Sequence, residues 1–94
     1  MSSGGGRPSD LRMVRSTRLF DESTVPAGLL AAHQIAAGVW GRVVVHTGSL
    51  TFAYEEGPED PLELHAGEGH DIPPLRPHRL VLDGPATFAI EFYK

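Results

Sequence analysis

The sequence contains no cysteine and no long hydrophobic run. The absence of cysteine from its 94 residues excludes disulfides, thiolate chemistry and the usual cysteine-bound structural zinc, which leaves histidine and carboxylate side chains as ligands. No apolar stretch of about 18 residues occurs, and no hydrophobic leader follows the N-terminus. We therefore expect a soluble, cytoplasmic protein with no membrane partner.

Positive charge is also scarce. Lys and Arg number 8 against 12 Asp and Glu, for a formal net charge of −4, and this balance provides no basic patch for nucleic acid. We expect a small or neutral molecule as the partner. The length is that of one domain. Residues 1–10 are mostly Gly, Ser and Pro and predict a flexible tail, whereas residues 11–94 are expected to form the folded domain.

Two segments alternate apolar and polar residues with the period of a β-strand. Residues 86–93 place Phe88, Ile90 and Phe92 on one face, which predicts a strand. Residues 40–54 consist of the arms WGRVVVH and LTFAY, separated by Thr-Gly-Ser. A glycine-containing turn between two alternating arms predicts a β-hairpin.

Shorter segments complete an all-β prediction. Residues 13–20 predict an edge strand or extended arm, and residues 62–65 a short strand. Residues 29–35 fit either a short helix or a strand, and the flanking glycines favour the strand. Several short strands with turn signals about every 8–12 residues indicate a β-sandwich or a small barrel.

Residues 67–78, GEGHDIPPLRPH, combine a turn with a rigid loop that ends on a histidine. The three prolines restrict the backbone to extended geometry, so residues 72–77 predict a stiff, non-helical connector. The strand that follows would place His78, Leu80 and Leu82 on one face. A histidine that shares a face with leucines is expected to point inward.

This stretch resembles the second motif of the cupins. Gly67, Pro73 and His78 stand at the motif's glycine, proline and histidine, and Leu75 replaces its second glycine. The blocks AGLLAAH, AGVWGRVVVHTGSL, IPPLRPHRL and IEFY resemble the small cupins of the tellurite-resistance group, the TehB N-terminal and YeaR-like domains, over residues 17–93. The resemblance implies a single-domain jelly-roll β-barrel, often dimeric, with a metal site inside.

The first cupin motif is matched only in part. Gly48 stands at its glycine, but Gly41 occupies the position of its glutamate ligand. Of its paired histidines only His33 is present, one place from the expected position. The carboxylate ligand of that motif is therefore missing.

The candidate metal ligands are His33, His78 and Glu91. Together they would make a two-histidine, one-carboxylate set of the kind that holds iron(II), or zinc with a water; nickel and manganese are further candidates for this divalent site. The alternative for His78 is a neutral core histidine bonded to a backbone carbonyl, and for Glu91 an exposed carboxylate paired with an arginine. Trp40 fits either a core position or an apolar wall for a ligand. Weaker candidates, at strand ends or in a turn, are His46, His65 and His70.

These residues support hypotheses from different classes. The first is a metal-binding cupin domain that holds a small molecule in its barrel, as an oxygenase, isomerase or hydrolase linked to stress or tellurite resistance. The alternative is a metal-free module that binds or senses a small molecule or an oxyanion without catalysis. A third is a structural dimer that only assembles with another protein. A homodimer is expected in each case, because a small β-domain has exposed edges.

Overall fold

The computed structural model describes residues 6–94, and its regular secondary structure consists almost entirely of β-strands. The strands are β1 (Met13–Ser16), β2 (Phe20–Asp21), β3 (Trp40–Tyr54), β4 (Leu62–His65), β5 (Gly69–Ile72), β6 (His78–Val81) and β7 (Ala86–Tyr93), with one 3-10 helix at Ala27–Leu30. All pairings are antiparallel. The all-β prediction is confirmed. Within residues 6–94, no helix has the length and apolar character needed to cross a membrane.

Strand β3 is the centre of the seven-stranded sheet. Its first half pairs with β7 over Trp40–Gly48 and with β5 over Gly41–Val44. Its second half pairs with β4 over Ser49–Phe52 and with β6 over Thr51–Tyr54. Strands β1 and β2 reach the sheet only through β7. In the part of the chain that the structure describes, the sheet bends at β3 but does not close into a ring.

The predicted hairpin at residues 40–54 is wrong, because these residues form one continuous strand. The turn-like Thr47-Gly48-Ser49 bends this strand instead of reversing it. Gly48 has a φ of 74°, and the pairing with β7 is irregular between Val45 and Thr47. Each half of the strand finds partners elsewhere in the chain, so neither half is left to pair with the other.

Other segments match the sequence more closely. The strand predicted at residues 86–93 is β7, and the extended arm at residues 13–20 becomes β1 and β2, both paired with β7. The segment from 29 to 35 is not the favoured strand. It ends the 3-10 helix and then makes a single bridge from His33 to His78.

The core lies between the two halves of the bent sheet. Alternation along β3 buries Val43 and Val45 in one half and Leu50 and Phe52 in the other. Burying one such side chain contributes roughly 1.5–3 kcal/mol, so the contact between the halves is a main source of stability. The remaining apolar core residues are Ile35, Leu64, Ile72, Leu80, Phe88 and Ile90.

Part of the predicted tail packs on the outer face of the sheet. Residues 1–5 lie outside the described residues. The Arg7 guanidinium donates to Asp71 Oδ1 at 2.6 Å and lies over the Tyr93 ring, 3.8 Å from its centroid. Arg42 Nη1 donates to the same carboxylate oxygen at 2.9 Å. Burial alone would raise the pKa of Asp71, but the hydrogen bonds from Arg42 and Arg7 outweigh it and hold the pKa below its usual value.

Replacing Gly48 by valine should lower the free energy of unfolding by about 1–3 kcal/mol for the backbone strain alone. A further loss is expected because a Cβ at this position would overlap the Pro85 carbonyl oxygen. Urea unfolding measures the change. The control is Gly84→Val, where a Cβ meets no atom within 4 Å and φ is not left-handed; we expect a change below about 0.5 kcal/mol. Equal losses in the two variants would contradict the described path of β3.

Candidate functional site

Two of the predicted site residues, His33 and His78, lie side by side. The backbone nitrogen of each donates to the carbonyl of the other, at 2.8 Å and 2.9 Å, and the imidazole rings meet edge to face with centroids 5.4 Å apart. His78 begins β6, directly after the proline loop (residues 73–77), as the sequence predicted. The structure therefore brings together two histidines that are far apart in the sequence.

The chain around His33 is fixed at several points. Ala32 has a φ of 40°, and its N–H donates to Glu55 Oε2 at 2.9 Å. Two residues past His33, the Ile35 carbonyl accepts a 2.8 Å hydrogen bond from the N–H of Leu75. Leu75 itself has a φ of 65°. Positive φ at non-glycine residues is costly and persists only where the surroundings enforce it. The proline loop and Glu55 thus determine where the His33 ring lies.

His78 is a buried, neutral imidazole. Its side chain is 3 % exposed and stacks on the Phe52 ring at 5.3 Å. Burial lowers the pKa of His78; the hydrogen bond to the Arg76 carbonyl opposes this with a smaller effect, and the neighbouring His33 adds a still smaller lowering. Because a carbonyl only accepts, the 3.0 Å contact from Nδ1 to Arg76 fixes the hydrogen on Nδ1 and leaves the lone pair on Nε2.

Glu91 and Trp40 lie on the other face of the sheet from this pair. Along β7 the buried residues are Ala86, Phe88 and Ile90, so Glu91 projects outward, where it accepts a 2.7 Å hydrogen bond from the Tyr93 hydroxyl. Trp40 is half-buried at the start of β3, opposite Tyr93. The structure does not bring either residue to the two histidines.

The described residues do not assemble the three-ligand centre that the cupin resemblance implies. No group of three His, Cys, Asp or Glu side chains in residues 6–94 is placed to hold an ion. At Gly41, where the first cupin motif has its glutamate, a Cβ would lie 2.9 Å from Ile35 Cδ1 and 3.6 Å from Ile72 Cβ. Apolar core side chains therefore fill the space that a carboxylate ligand would need.

A cavity of about 230 Å³ lies beside the histidine pair. It opens between the 3-10 helix and the ends of β2 and β7, and His33 forms part of its wall. The Nδ1 atom of His33 is buried and has no hydrogen-bond partner among residues 6–94. Apart from Thr17 and His33 the wall is apolar: Phe20, Pro26, Gly28, Leu29, Ile35, Ile90 and Phe92.

Sequence reasoning missed most of this cavity. The alternation of β7 indicated that Ile90 and Phe92 share a face, but Phe20 and Leu29 carry no local signal that they approach it. The sequence placed His70 in a turn, whereas it is half-buried in β5, with its ring 4.8 Å from Phe52, and burial lowers its pKa. His46 and His65 are exposed, as expected, although only His65 lies at a strand end and His46 lies within β3.

The bent antiparallel sheet, its single apolar core and a histidine carried inward by a proline loop are features of the cupin-type fold. The family model of the TehB-like domain matches residues 15–90. The chain belongs to this family, as the sequence resemblance predicted.

Solved structures support the same fold. A structural-genomics protein of E. coli (strain K12) has a TM-score of 0.83 and 25% sequence identity, with 94% of each chain covered. TehB from Haemophilus influenzae has a TM-score of 0.79 and 19% identity over 90% of this chain, which corresponds to 32% of TehB. A cupin-2 domain containing protein from Shewanella frigidimarina has a TM-score of 0.60 and 18% identity, covering 92% of this chain and 81% of its own. A search of curated proteins gives no match.

Burial of His78 predicts a loss of stability on acidification. Because its pKa is lowered in the folded state, the unfolded chain binds the proton first, so stability is complete above the unfolded pKa of about 6.5 and falls as the pH drops below it. His70 acts with the same sign. We expect a lower melting temperature at pH 5 than at pH 7.5, and a smaller difference in His78→Gln. The exposed His65→Gln serves as the control, and an unchanged difference in His78→Gln would contradict the buried, neutral state.

Proposed function

We propose that this domain is a metal-free binding module that holds a small, mainly apolar molecule in the cavity beside His33. The observation that carries the proposal is the wall of the cavity, in which aromatic and aliphatic side chains surround a small number of polar groups. Ligand pockets in proteins have this composition. Binding without catalysis is the function that such a wall supports best, because it holds no nucleophile and no paired acid and base among the described residues.

The two polar side chains of the wall differ in what they can offer a ligand. The Thr17 hydroxyl already donates to the Arg18 carbonyl at 2.8 Å and accepts from the Ile90 N–H at 3.0 Å. His33 Nδ1 lacks a partner within residues 6–94, and a buried polar atom without a hydrogen bond costs about 1–3 kcal/mol. A ligand group that reached His33 would recover part of that energy, so His33 is the proposed polar anchor.

The charge of the wall selects among small molecules. None of the described residues that line the cavity is Lys or Arg, and a desolvated anion needs a paired charge or several hydrogen-bond donors. The cavity therefore suits a neutral apolar molecule better than a bare oxyanion such as tellurite. A role in tellurite resistance, like assembly as a homodimer, stays a prediction from the sequence resemblance.

Filling the cavity should abolish binding. Gly28 lines the cavity in the 3-10 helix, and a Cβ there would meet no atom within 4 Å, so Gly28→Leu can enter the space without displacing the backbone. We expect NMR titration with octan-1-ol or indole to show saturable shifts around the cavity in the unmodified chain and a loss of at least about ten-fold in affinity in Gly28→Leu. Gly84→Leu, in an exposed bend with similar free space, should bind normally. If both variants bind as the unmodified chain does, the cavity is not the site.

A second candidate function is binding of a divalent transition metal by His33 and His78. The observation that favours it is the pair itself: His78 is held in one tautomer by the Arg76 carbonyl, as ligating histidines usually are, and His33 Nδ1 has no partner among the described residues. The pair supplies two protein ligands, so other groups would have to complete the coordination. Such a site would be weaker than a three-ligand centre.

Metal titration separates this candidate from the first. If iron, zinc, nickel or manganese binds the pair, His78→Ala should lose most of the affinity, and acidification below pH 6 should weaken binding because protons then compete for the imidazoles. Glu91→Gln and His46→Ala should leave the affinity unchanged, since Glu91 projects from the outer face and His46 is exposed. Isothermal titration calorimetry measures each case. Equal affinities in His78→Ala and His46→Ala would remove the candidate.

A further inference from the structure

A second cavity adjoins the first across the ring of Phe92. It has a volume of about 410 Å³ and opens between β1, the chain before β3 and the end of β7. Phe92 is the one side chain that lines both cavities described here. The first cavity is smaller than most ligand pockets, which measure roughly 300–1,000 Å³. Phe92 is therefore the side chain that a molecule longer than the first cavity would have to pass to reach the second.

The second cavity differs from the first in charge. Its wall combines the apolar Val14 and Val39 with two cations, Arg15 and Lys94. Arg15 faces Phe92 directly across the β1–β7 pairing, and its guanidinium lies over the aromatic ring, with Cζ 4.4 Å from the centroid. A group that leaves the first cavity along Phe92 therefore arrives beside this guanidinium.

Both cations are available to a ligand in the described structure. Among residues 6–94, neither Arg15 nor Lys94 takes part in an ion pair, whereas Arg7, Arg42, Arg76 and Arg79 all do. No acidic side chain among the described residues lines this cavity. A guanidinium presents several N–H groups in a planar fork that matches a carboxylate.

We propose that the ligand class of this site is a small amphipathic anion, such as a medium-chain carboxylate. Its hydrocarbon body lies in the first cavity, against Leu29 and Ile90, and its carboxylate lies in the second, on Arg15. This inference rests on the proposed function and adds the charged end of the ligand to it. In this arrangement an anion needs no cation in the apolar cavity, because its charge lies outside it.

The attraction must be local, because the chain as a whole repels anions. Its formal net charge is −4, and exposed charges act over only about 8 Å at physiological salt. Any preference for an anion over a neutral molecule of the same length therefore reports on the cations beside the bound end of the ligand. A matched pair of probes isolates this contribution.

The experiment compares octanoate, octan-1-ol and octylamine by NMR titration of the full chain. Octanoate should bind roughly two- to five-fold more tightly than octan-1-ol, the range for one partly exposed ion pair, and octylamine should bind most weakly. Arg15→Gln should bring the octanoate affinity down to that of octan-1-ol without changing the latter. Arg12→Gln removes an equal charge from an exposed residue that lines neither cavity and should keep the preference.

The outcomes distinguish this inference from the function on which it rests. Equal affinities for octanoate and octan-1-ol in the unmodified chain, or a preference that survives Arg15→Gln, would overturn the anion class while leaving the apolar cavity as a binding site. A preference lost equally in Arg12→Gln and Arg15→Gln would also overturn it, since the effect would then be one of overall charge. Binding of none of the three probes would remove both proposals.

Discussion

The fold depends on the continuation of β3 through Gly48. If this strand of 15 residues ran straight, the apolar side chains of its two halves would lie on opposite faces. They would then share no core. The left-handed backbone at Gly48 and the close approach of Pro85 bend the strand so that its inward side chains face one another. Pairing with four other strands then fixes the bend, and the apolar interior is a consequence of it.

The candidate site follows from backbone contacts more than from side-chain chemistry. The segment around His33 has no regular structure of its own, yet its N–H and C=O groups are bonded to β6, to the proline loop and to Glu55. These hydrogen bonds leave His33 Nδ1 buried without a partner among the described residues and keep the first cavity open beside His33. A segment held at several points resists collapse into that space, which otherwise would fill with side chains.

Much of the fold was predictable from the sequence, and the exceptions have physical causes. The alternation of β7 and the inward position of His78 follow from periodicity and proline stereochemistry, both of which are local. The hairpin prediction failed because Thr47-Gly48-Ser49 has the composition of a turn, and composition does not distinguish a reversal from a bend when long-range partners compete. The sequence left Glu91 open between a metal ligand and an exposed carboxylate, because alternation separates the two faces of a strand but does not show which side chains from other strands meet each face.

The packing of Ile35 against Gly41 limits how the domain could acquire a carboxylate metal ligand. A glutamate at position 41 would collide with Ile35 and bury a charge, so it would be strongly destabilising while Ile35 remains. Shortening Ile35 to alanine first would open a gap in the core at a cost of about 2–5 kcal/mol. Neither substitution alone is neutral, because one produces a collision and the other a gap at the contact between positions 35 and 41. An interior with a glutamate at position 41 is thus separated from this one by a mutational barrier that stepwise change at one position cannot cross.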